Sequence, residues 1–258
     1  MAYREDRDLR FLKELSSSDL NDLVSVLTVD KDGDKRWAEE LTGSKQYKKY
    51  YPDHKKYWDL IAAELQCFGA NSIVTLFRGG KGVLYEEVLE DVCEKSKVKF
   101  EKVHTVKEKE NKLILKIIEK SLDEMSESDR REFAKSLGFF DLTTFTPNAL
   151  LGAAQAAFKI GGFQSYQLTL IVVNAVSKAA LGHGLTLAGN AAMMRAVSVW
   201  AGPIGWAVTS LWTLTDIAGP AYRVTIPAVI QVAYLREKLE NEKKEILSEI
   251  YRDIGGNI

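Results

Sequence analysis

A sharp fall in charge density after Pro147 is the feature that most constrains how this 258-residue chain can fold. Residues 1–147 are rich in Lys, Asp and Glu. Residues 148–235 carry only five charged side chains: Lys159, Lys178, Arg195, Asp216 and Arg223. A stretch this apolar has to be covered, either by the charged part of the chain or by lipid. Whether protein or lipid covers the second half is therefore the first question that the sequence raises.

Two charge-free runs, residues 160–177 and 196–215, bear on that question. The second run has the roughly 20 residues that a helix needs to cross a bilayer. However, it contains Pro203 and several polar side chains, which are atypical of a permanent span. Frequent Gly and Ala between residues 149 and 205 favour close helix packing in either solvent. Three alternatives remain: a buried core of a soluble helical protein, a sheltered region that can enter a bilayer, and an integral membrane protein.

Hydrophobic periodicity predicts an all-α fold. It divides the chain into a small N-terminal helical module at residues 1–45 and a charged helical domain at 46–147. An apolar, Gly/Ala-rich helical bundle or hairpin follows at 148–236, and an amphipathic helix closes the chain at 237–258. Ser18 is the expected N-cap of the second helix in the N-terminal module. Pro227 indicates a kinked helix within residues 219–236, packed against the rest of the apolar half.

Two helix faces stand out by their spacing. The face in the charged domain consists of Trp58, Ile61, Leu65 and Phe68, and its helix should end at Gly69. The face in the C-terminal helix consists of Leu239, Ile246 and Ile250. We expect this second face to dock on the body of the protein or on a partner.

Motifs for metals and nucleotides are incomplete. Asp30, Asp32 and Asp34 imitate the start of an EF-hand, but the Gly and Glu that the loop requires are replaced by Lys35 and Leu41. An ordinary Asp/Gly turn is the better interpretation. The glycine-rich loop at residues 78–82 lacks the spacing of a phosphate-binding loop. The sequence therefore predicts no metal and no cofactor.

Catalytic arrangements are not apparent either. The two cysteines, Cys67 and Cys93, fit neither a disulfide framework nor a metal motif, which indicates a reducing compartment. No histidine has a partner at metal-motif spacing, and His183 is expected to be a neutral buried imidazole, with a proton-triggered switch as the alternative. We predict that the chain is not an enzyme.

Charge balance and the N-terminus restrict partners and location. The 35 Lys and Arg residues nearly equal the 36 Asp and Glu residues, which disfavours nucleic-acid binding. The charged N-terminus has no apolar run of a signal peptide, so a cytoplasmic location is expected, with the chain peripheral to or inserting into the inner membrane as the further alternative.

Candidate interaction residues fall into two sets. The membrane-interaction set is Trp200, Trp206, Trp212, Ile204 and Val208. Tryptophans every six residues surround a helix, which fits either full burial or an interface belt. The partner-binding set is Trp58, Phe68, Arg78, Lys81 and Arg223.

Several long motifs resemble those of the YaaW family of uncharacterised bacterial proteins, which is grouped with ubiquinol-cytochrome c chaperones. They are "YREDRDLRFLKELSSSDLNDLVSVLT", "WDLIAAELQCFGANSI", "RGGKGVLYEEVLEDV", "GHGL" and "AYRVTIPAVIQVAYLR". Together they extend over most of the chain. The chaperone grouping implies a helical factor that assists assembly of a membrane respiratory complex.

Two functional hypotheses follow. In the first, a non-enzymatic, membrane-active effector shelters residues 148–235 in a resting form until a trigger inserts them into a lipid membrane, where the chain could oligomerise. A toxin, a defence effector or a stress factor would fit this description. In the second, an assembly chaperone or adaptor holds a protein client on the helices around Trp58 to Val92.

Overall fold

A computed structural model describes residues 2–36, 38–69, 82–186, 203–205, 207–209 and 221–253, and over these residues the protein is all-α, as predicted. The α-helices are α1 Ser17–Thr28, α2 Lys45–Tyr50, α3 Trp58–Gly69, α4 Tyr85–Lys95, α5 Val106–Glu124, α6 Glu127–Ser136, α7 Pro147–Ile160, α8 Phe163–Leu181 and α9 Tyr222–Asp253. Short 3-10 helices lie at Arg10–Glu14, Leu41–Gly43 and His54–Tyr57.

Reciprocal side-chain caps fix where several helices begin. Ser16 accepts a hydrogen bond from Asp19 N at 3.2 Å, and the Asp19 carboxylate accepts one from Ser16 N at 3.0 Å. The predicted cap at Ser18 is therefore wrong by two residues, because only Ser16 has an acidic residue three positions later in the required geometry. Thr105 and Ser126 cap α5 and α6 in the same way.

Helix α3 buries the face that its spacing predicts. Ile61 and Leu65 are completely buried, whereas Trp58 and Phe68 at the two ends are partly buried against the core. The helix ends at Gly69, as expected. Trp58 also packs edge-on against Tyr3, with ring centroids 5.4 Å apart, so this helix holds the N-terminal segment against the body.

Helices α8 and α9 form the centre of the fold. Nearly all of α8 from Ser165 to Ser177 is buried, which is typical of a helix enclosed on every side. The two helices pack along each other, and α9 also contacts α1, α3, α4 and α5. The apolar first part of α9 is thus packed against helices from the charged half.

Helix α9 is longer than the sequence indicates. It runs without interruption from Tyr222 to Asp253, passing through Pro227 and across the predicted border between residues 236 and 237. The side chains around Pro227, from Val224 to Leu235, are buried. Burial of this apolar surface offsets the backbone hydrogen bond that the proline removes.

The acidic segment after α1 is a turn, as predicted. Asp30 Oδ1 accepts hydrogen bonds from Asp32 N and Asp34 N, both at 3.0 Å. Gly33 has a φ of 84°, which favours glycine. The Asp30 carboxylate is therefore used to hold its own loop.

Candidate protein-binding surface

A buried ion pair anchors α9 at its middle. Arg236 Nε donates to Glu110 Oε2 of α5 at 2.9 Å, and Tyr85 Oη donates to Glu110 Oε1 at 2.7 Å. Arg236 Nη2 also donates to the Asp8 carbonyl at 2.8 Å, and the guanidinium lies 4.5 Å from the centre of the Phe11 ring. The N-terminal segment, α4 and α5 therefore all converge on one arginine of α9.

Burial by itself would lower the pKa of Arg236, but the carboxylate of Glu110 outweighs it and raises the pKa above the ordinary range. The arginine stays charged at every accessible pH. A charge this well matched positions α9 strongly, because removing either partner would leave the other buried and unpaired.

Further ion pairs fix α9 along the next two turns. Lys107 of α5 pairs with Glu237, at 3.0 Å, and with Glu240. Lys238 pairs with Asp19, the residue that completes the cap of α1. Burial lowers the pKa of Lys238, but the hydrogen bonds that Lys238 donates to the Asp19 and Glu242 carboxylates raise it by more. These contacts bind α9 to α1 and α5.

The last of these contacts is Lys243 with Glu14, at 2.7 Å between partly exposed side chains. Beyond it, residues 244–253 extend the helix by about 15 Å at 1.5 Å per residue. We call this part of α9 the α9 extension. Among the described residues, the pair of Lys243 with Glu14 is the last ion pair that joins α9 to the rest of the protein.

Large apolar side chains are exposed on the α9 extension. Ile246, Leu247, Ile250 and Tyr251 have relative exposures of 55%, 54%, 50% and 53%. They lie at i, i+1, i+4 and i+5 and so share one side of the helix. Leu239 begins the same stripe and is packed against the core. The stripe predicted for the C-terminal helix is therefore docked at Leu239 and exposed at Ile246 and Ile250.

The turn between α7 and α8 adjoins this stripe. A Cβ atom placed on Gly161 would lie 2.9 Å from Lys244 Nζ, so the turn reaches the start of the α9 extension. Ile160 and Phe163 on the same turn are 78% and 51% exposed. Clustered exposed apolar side chains mark interaction sites, in contrast to single ones. We call these two side chains and the α9 stripe the apolar surface.

The structure places the sequence-derived candidates elsewhere. Of the partner-binding set, Trp58 and Phe68 are partly buried in the body and Arg223 is exposed near the start of α9. Of the membrane-interaction set, Ile204 and Val208 are buried. Arg78, Lys81, Trp200, Trp206 and Trp212 lie outside the described residues. Both sets stay predictions.

The expectation for His183 is wrong. Its side chain is exposed, with Nδ1 2.8 Å from the Gly184 carbonyl oxygen. The buried histidine is His54, which shares hydrogen bonds with Tyr57 Oη and Asn21 Oδ1. Burial lowers the pKa of His54. Local apolar sequence failed as a guide because the turn at residues 182–184 lies at the surface.

Metal-ligand clusters and membrane-spanning helices are both absent from the described ranges. Between residue 2 and residue 253, leaving out the gaps, no set of His, Cys, Asp and Glu side chains is arranged to hold a metal ion. In the same part of the chain, none of the helices combines the length and the apolar character that crossing a membrane requires.

Comparison with known families agrees with the fold. Residues 53–230 match a family model described as Ubiquinol-cytochrome C chaperone, and residues 3–37 match a Domain of unknown function (DUF3944). The first match extends over more than half of the chain, so the chain belongs to the family that this model describes. No solved structure matches the chain significantly.

Individual proteins also resemble the chain over most of its length. A "UPF0174 protein" of Helicobacter pylori strain J99 is 49% identical over 249 residues, covering 96% of this chain and 98% of that protein. The "UPF0174 protein YaaW" of Escherichia coli K12 is 33% identical over 239 residues, covering 91% and 95%. The chain belongs to the UPF0174 family, and the resemblance to YaaW is confirmed.

Proposed function

We propose that this protein is a non-enzymatic chaperone or adaptor that binds a protein client in the cytoplasm during assembly of a membrane protein complex. The match to the chaperone model supports the class of function. The observation that carries the proposal is the apolar surface, with four large side chains of the α9 extension about half exposed beyond a firmly held body.

The arrangement suits client binding physically. A buried ion pair and several surface pairs hold the first part of α9, so the extension projects from a fixed base. A preorganised apolar helix face loses little conformational entropy when a partner covers it. Covering the four side chains would also remove apolar area from water, which drives association.

The membrane-active hypothesis receives less support. Its candidates Ile204 and Val208 are buried, and a rearrangement would be needed before they could reach lipid. Among the described residues, exposed large apolar side chains occur singly at Tyr51, Val103 and Phe140, and the others belong to the α7–α8 turn and the α9 extension. Leakage of dye from liposomes would favour the membrane hypothesis, whereas intact liposomes accompanied by client capture would favour the chaperone proposal.

Site-specific photocrosslinking tests the proposal. A photoreactive phenylalanine analogue replaces Leu247 in the full-length chain, expressed at its normal level in its native cells, and the adducts are identified by mass spectrometry. Val103 serves as the matched control position, because it is apolar and 80% exposed but lies between α4 and α5.

The expected result is an adduct at position 247 with a subunit of a membrane protein complex, absent at position 103, together with less assembled complex when the protein is deleted. The proposal is contradicted if no such subunit is recovered from any exposed position, or if deletion leaves the amount of complex unchanged.

A further inference from the structure

The α9 extension has a charged edge in addition to its apolar stripe. Glu242, Glu245, Glu249 and Asp253 recur at i, i+3, i+7 and i+11, which aligns them along one side of the helix. At roughly 100° per residue, Asp253 lies about 20° from the direction of Ile246. We call this line the acidic ridge. It borders the stripe on the side of Ile246 and Ile250.

The acidic ridge is neutralised only in part, and Arg252, three residues after Glu249, donates to the Ser248 carbonyl and hydroxyl oxygens. Lys238 Nζ lies 3.0 Å from Glu242 Oε1, and Asn241 donates to Glu245 at 2.8 Å. Within the ranges that the structure describes, no ion pair reaches Glu249 or Asp253, and both are exposed. Like charges four residues apart destabilise a helix slightly, so this spacing works against the isolated helix. A cationic partner would reverse that effect.

The opposite edge of the stripe differs. Lys244 lies there, near Gly161, followed by Ile160 and Phe163 on the α7–α8 turn. A ligand lying along the α9 extension would therefore meet carboxylates on one edge, apolar side chains in the centre, and Lys244 followed by apolar side chains on the other edge. Regions 3–37 and 53–230, which match the known families, do not include the α9 extension.

We propose that the α9 extension binds an amphipathic helix of the client that carries Lys or Arg along one edge. This inference rests on the proposed function and names the kind of segment that the client presents. Two or three helical turns match the length of the extension. Apolar side chains at i, i+3 and i+4 would cover the stripe, and the basic edge would face the acidic ridge.

Charge selects this occupant over two others. A second copy of the chain, packed antiparallel on the stripe, would bring its acidic ridge against the first ridge, and like charges across an interface are unfavourable. An anionic lipid surface would meet the same carboxylates. A basic amphipathic helix satisfies both the stripe and the ridge.

Fluorescent model peptides test the inference directly on the full-length chain. One peptide is an amphipathic helix of Leu and Lys, and the other has the same Leu face with Glu in place of Lys. Fluorescence anisotropy gives both dissociation constants. We expect the Leu/Lys peptide to bind at least about tenfold more tightly, with an affinity that falls as salt rises.

Charge reversal provides the decisive variant. In the double variant Glu249→Lys and Asp253→Lys, the affinity for the Leu/Lys peptide should fall about tenfold and the affinity for the Leu/Glu peptide should rise. Glu132→Lys, an exposed acidic residue of α6, is the control and should change neither affinity. Ile250→Ser should lower the affinity for both peptides.

An unchanged peptide preference in the double charge variant would overturn the inference. So would binding of anionic vesicles in place of the peptides, or a dimer that Ile250→Ser dissociates. Circular dichroism verifies that the variants remain folded. If Leu247 crosslinks to a membrane-complex subunit while the peptide preference is not reversed, only this inference fails. If peptides behave as expected but no client is recovered in cells, the proposed function fails.

Discussion

Arg236 of α9 and Glu110 of α5 form a buried salt bridge, with Nε 2.9 Å from Oε2, although they lie 126 residues apart in the sequence. The pair joins the helix that bears the apolar surface to the rest of the protein. Because Arg236 also binds the Asp8 carbonyl, the N-terminal segment is part of the same support. Client binding and fold stability should therefore separate along α9, with stability governed before Lys243 and binding after it.

Substitution of Arg236 by Met should destabilise the protein strongly. It leaves the Glu110 carboxylate buried without its cationic partner, which costs about 3 to 5 kcal/mol in free energy of unfolding. Lys243→Met is the control, since its pair with Glu14 is exposed and is worth no more than about 1 kcal/mol. Urea denaturation measures both. If both variants lose the same free energy of unfolding, the pair between Arg236 and Glu110 contributes no more to stability than an exposed pair does.

The position of Gly82 should tolerate no side chain. A Cβ there would lie 2.6 Å from Cys67 N and closer still to the Gln66 carbonyl, so Gly82→Ala should force α3 and α4 apart at a cost of about 1 to 3 kcal/mol. Gly152→Ala on α7 is the control. No atom lies within 4 Å of that Cβ, and the change should stabilise the helix by about 0.5 to 1 kcal/mol. Thermal unfolding of both variants tests the contrast, and a neutral Gly82→Ala would refute the close approach.

Glu64 should make stability depend on pH. The carboxyl group is buried, and one of its oxygens accepts a hydrogen bond from Glu40 N at 3.0 Å. Burial, reinforced by nearby Glu39 and Glu40, raises its pKa from 4.5 to about 7. Between pH 4.5 and about 7, Glu64 therefore keeps its proton in the folded protein but has lost it in the unfolded chain.

It follows that the contribution of Glu64 to stability is complete below pH 4.5 and is lost as pH rises to about 7. The loss amounts to at most about 3 kcal/mol. In Glu64→Gln, the free energy of unfolding should change less between pH 4.5 and 7 than it does in the wild type. His54, whose pKa is lowered by burial, adds an opposite slope below its ordinary 6.5 in both proteins, so the comparison with wild type isolates Glu64. Parallel profiles for the two proteins would contradict the assignment.

The two parts of α9 should respond differently to truncation of an apolar side chain. Leu235 is completely buried, and Leu235→Ala should cost about 2 to 5 kcal/mol in free energy of unfolding. Ile250 is half exposed, and Ile250→Ala should change stability by less than about 0.5 kcal/mol. Denaturant titration of both variants tests this difference. A large loss at Ile250 would mean that the α9 extension is held by contacts within the chain.

Local chemistry in the sequence predicts much of the fold. Helical spacing gives the buried face of α3 around Ile61 and Leu65, and turn chemistry gives the loop held by Asp30. These features depend on residues within one or two helical turns of each other. The frequent Gly and Ala between residues 149 and 205 predict close helix packing without naming the partners, and α8 packs along α9.

Local sequence patterns predict less of the candidate site than of the fold. Glu110 lies in a run of charged residues that looks like a solvated helix face, and only the tertiary fold brings Arg236 to it. The stripe of Leu239, Ile246 and Ile250 is visible in the sequence, but where the body ends along it is not. That limit depends on which residues the fold brings beside α9, such as Glu14 beside Lys243, which are distant in sequence.

The most direct test of the central claim measures assembly in cells. The double variant Ile246→Ser and Ile250→Ser replaces the chromosomal copy, and the assembled complex that contains the crosslinked client is quantified. We predict that the complex falls to the level of the deletion strain while the variant protein keeps its normal abundance and unfolding midpoint. A wild-type level of complex in that strain would contradict client binding on the α9 extension.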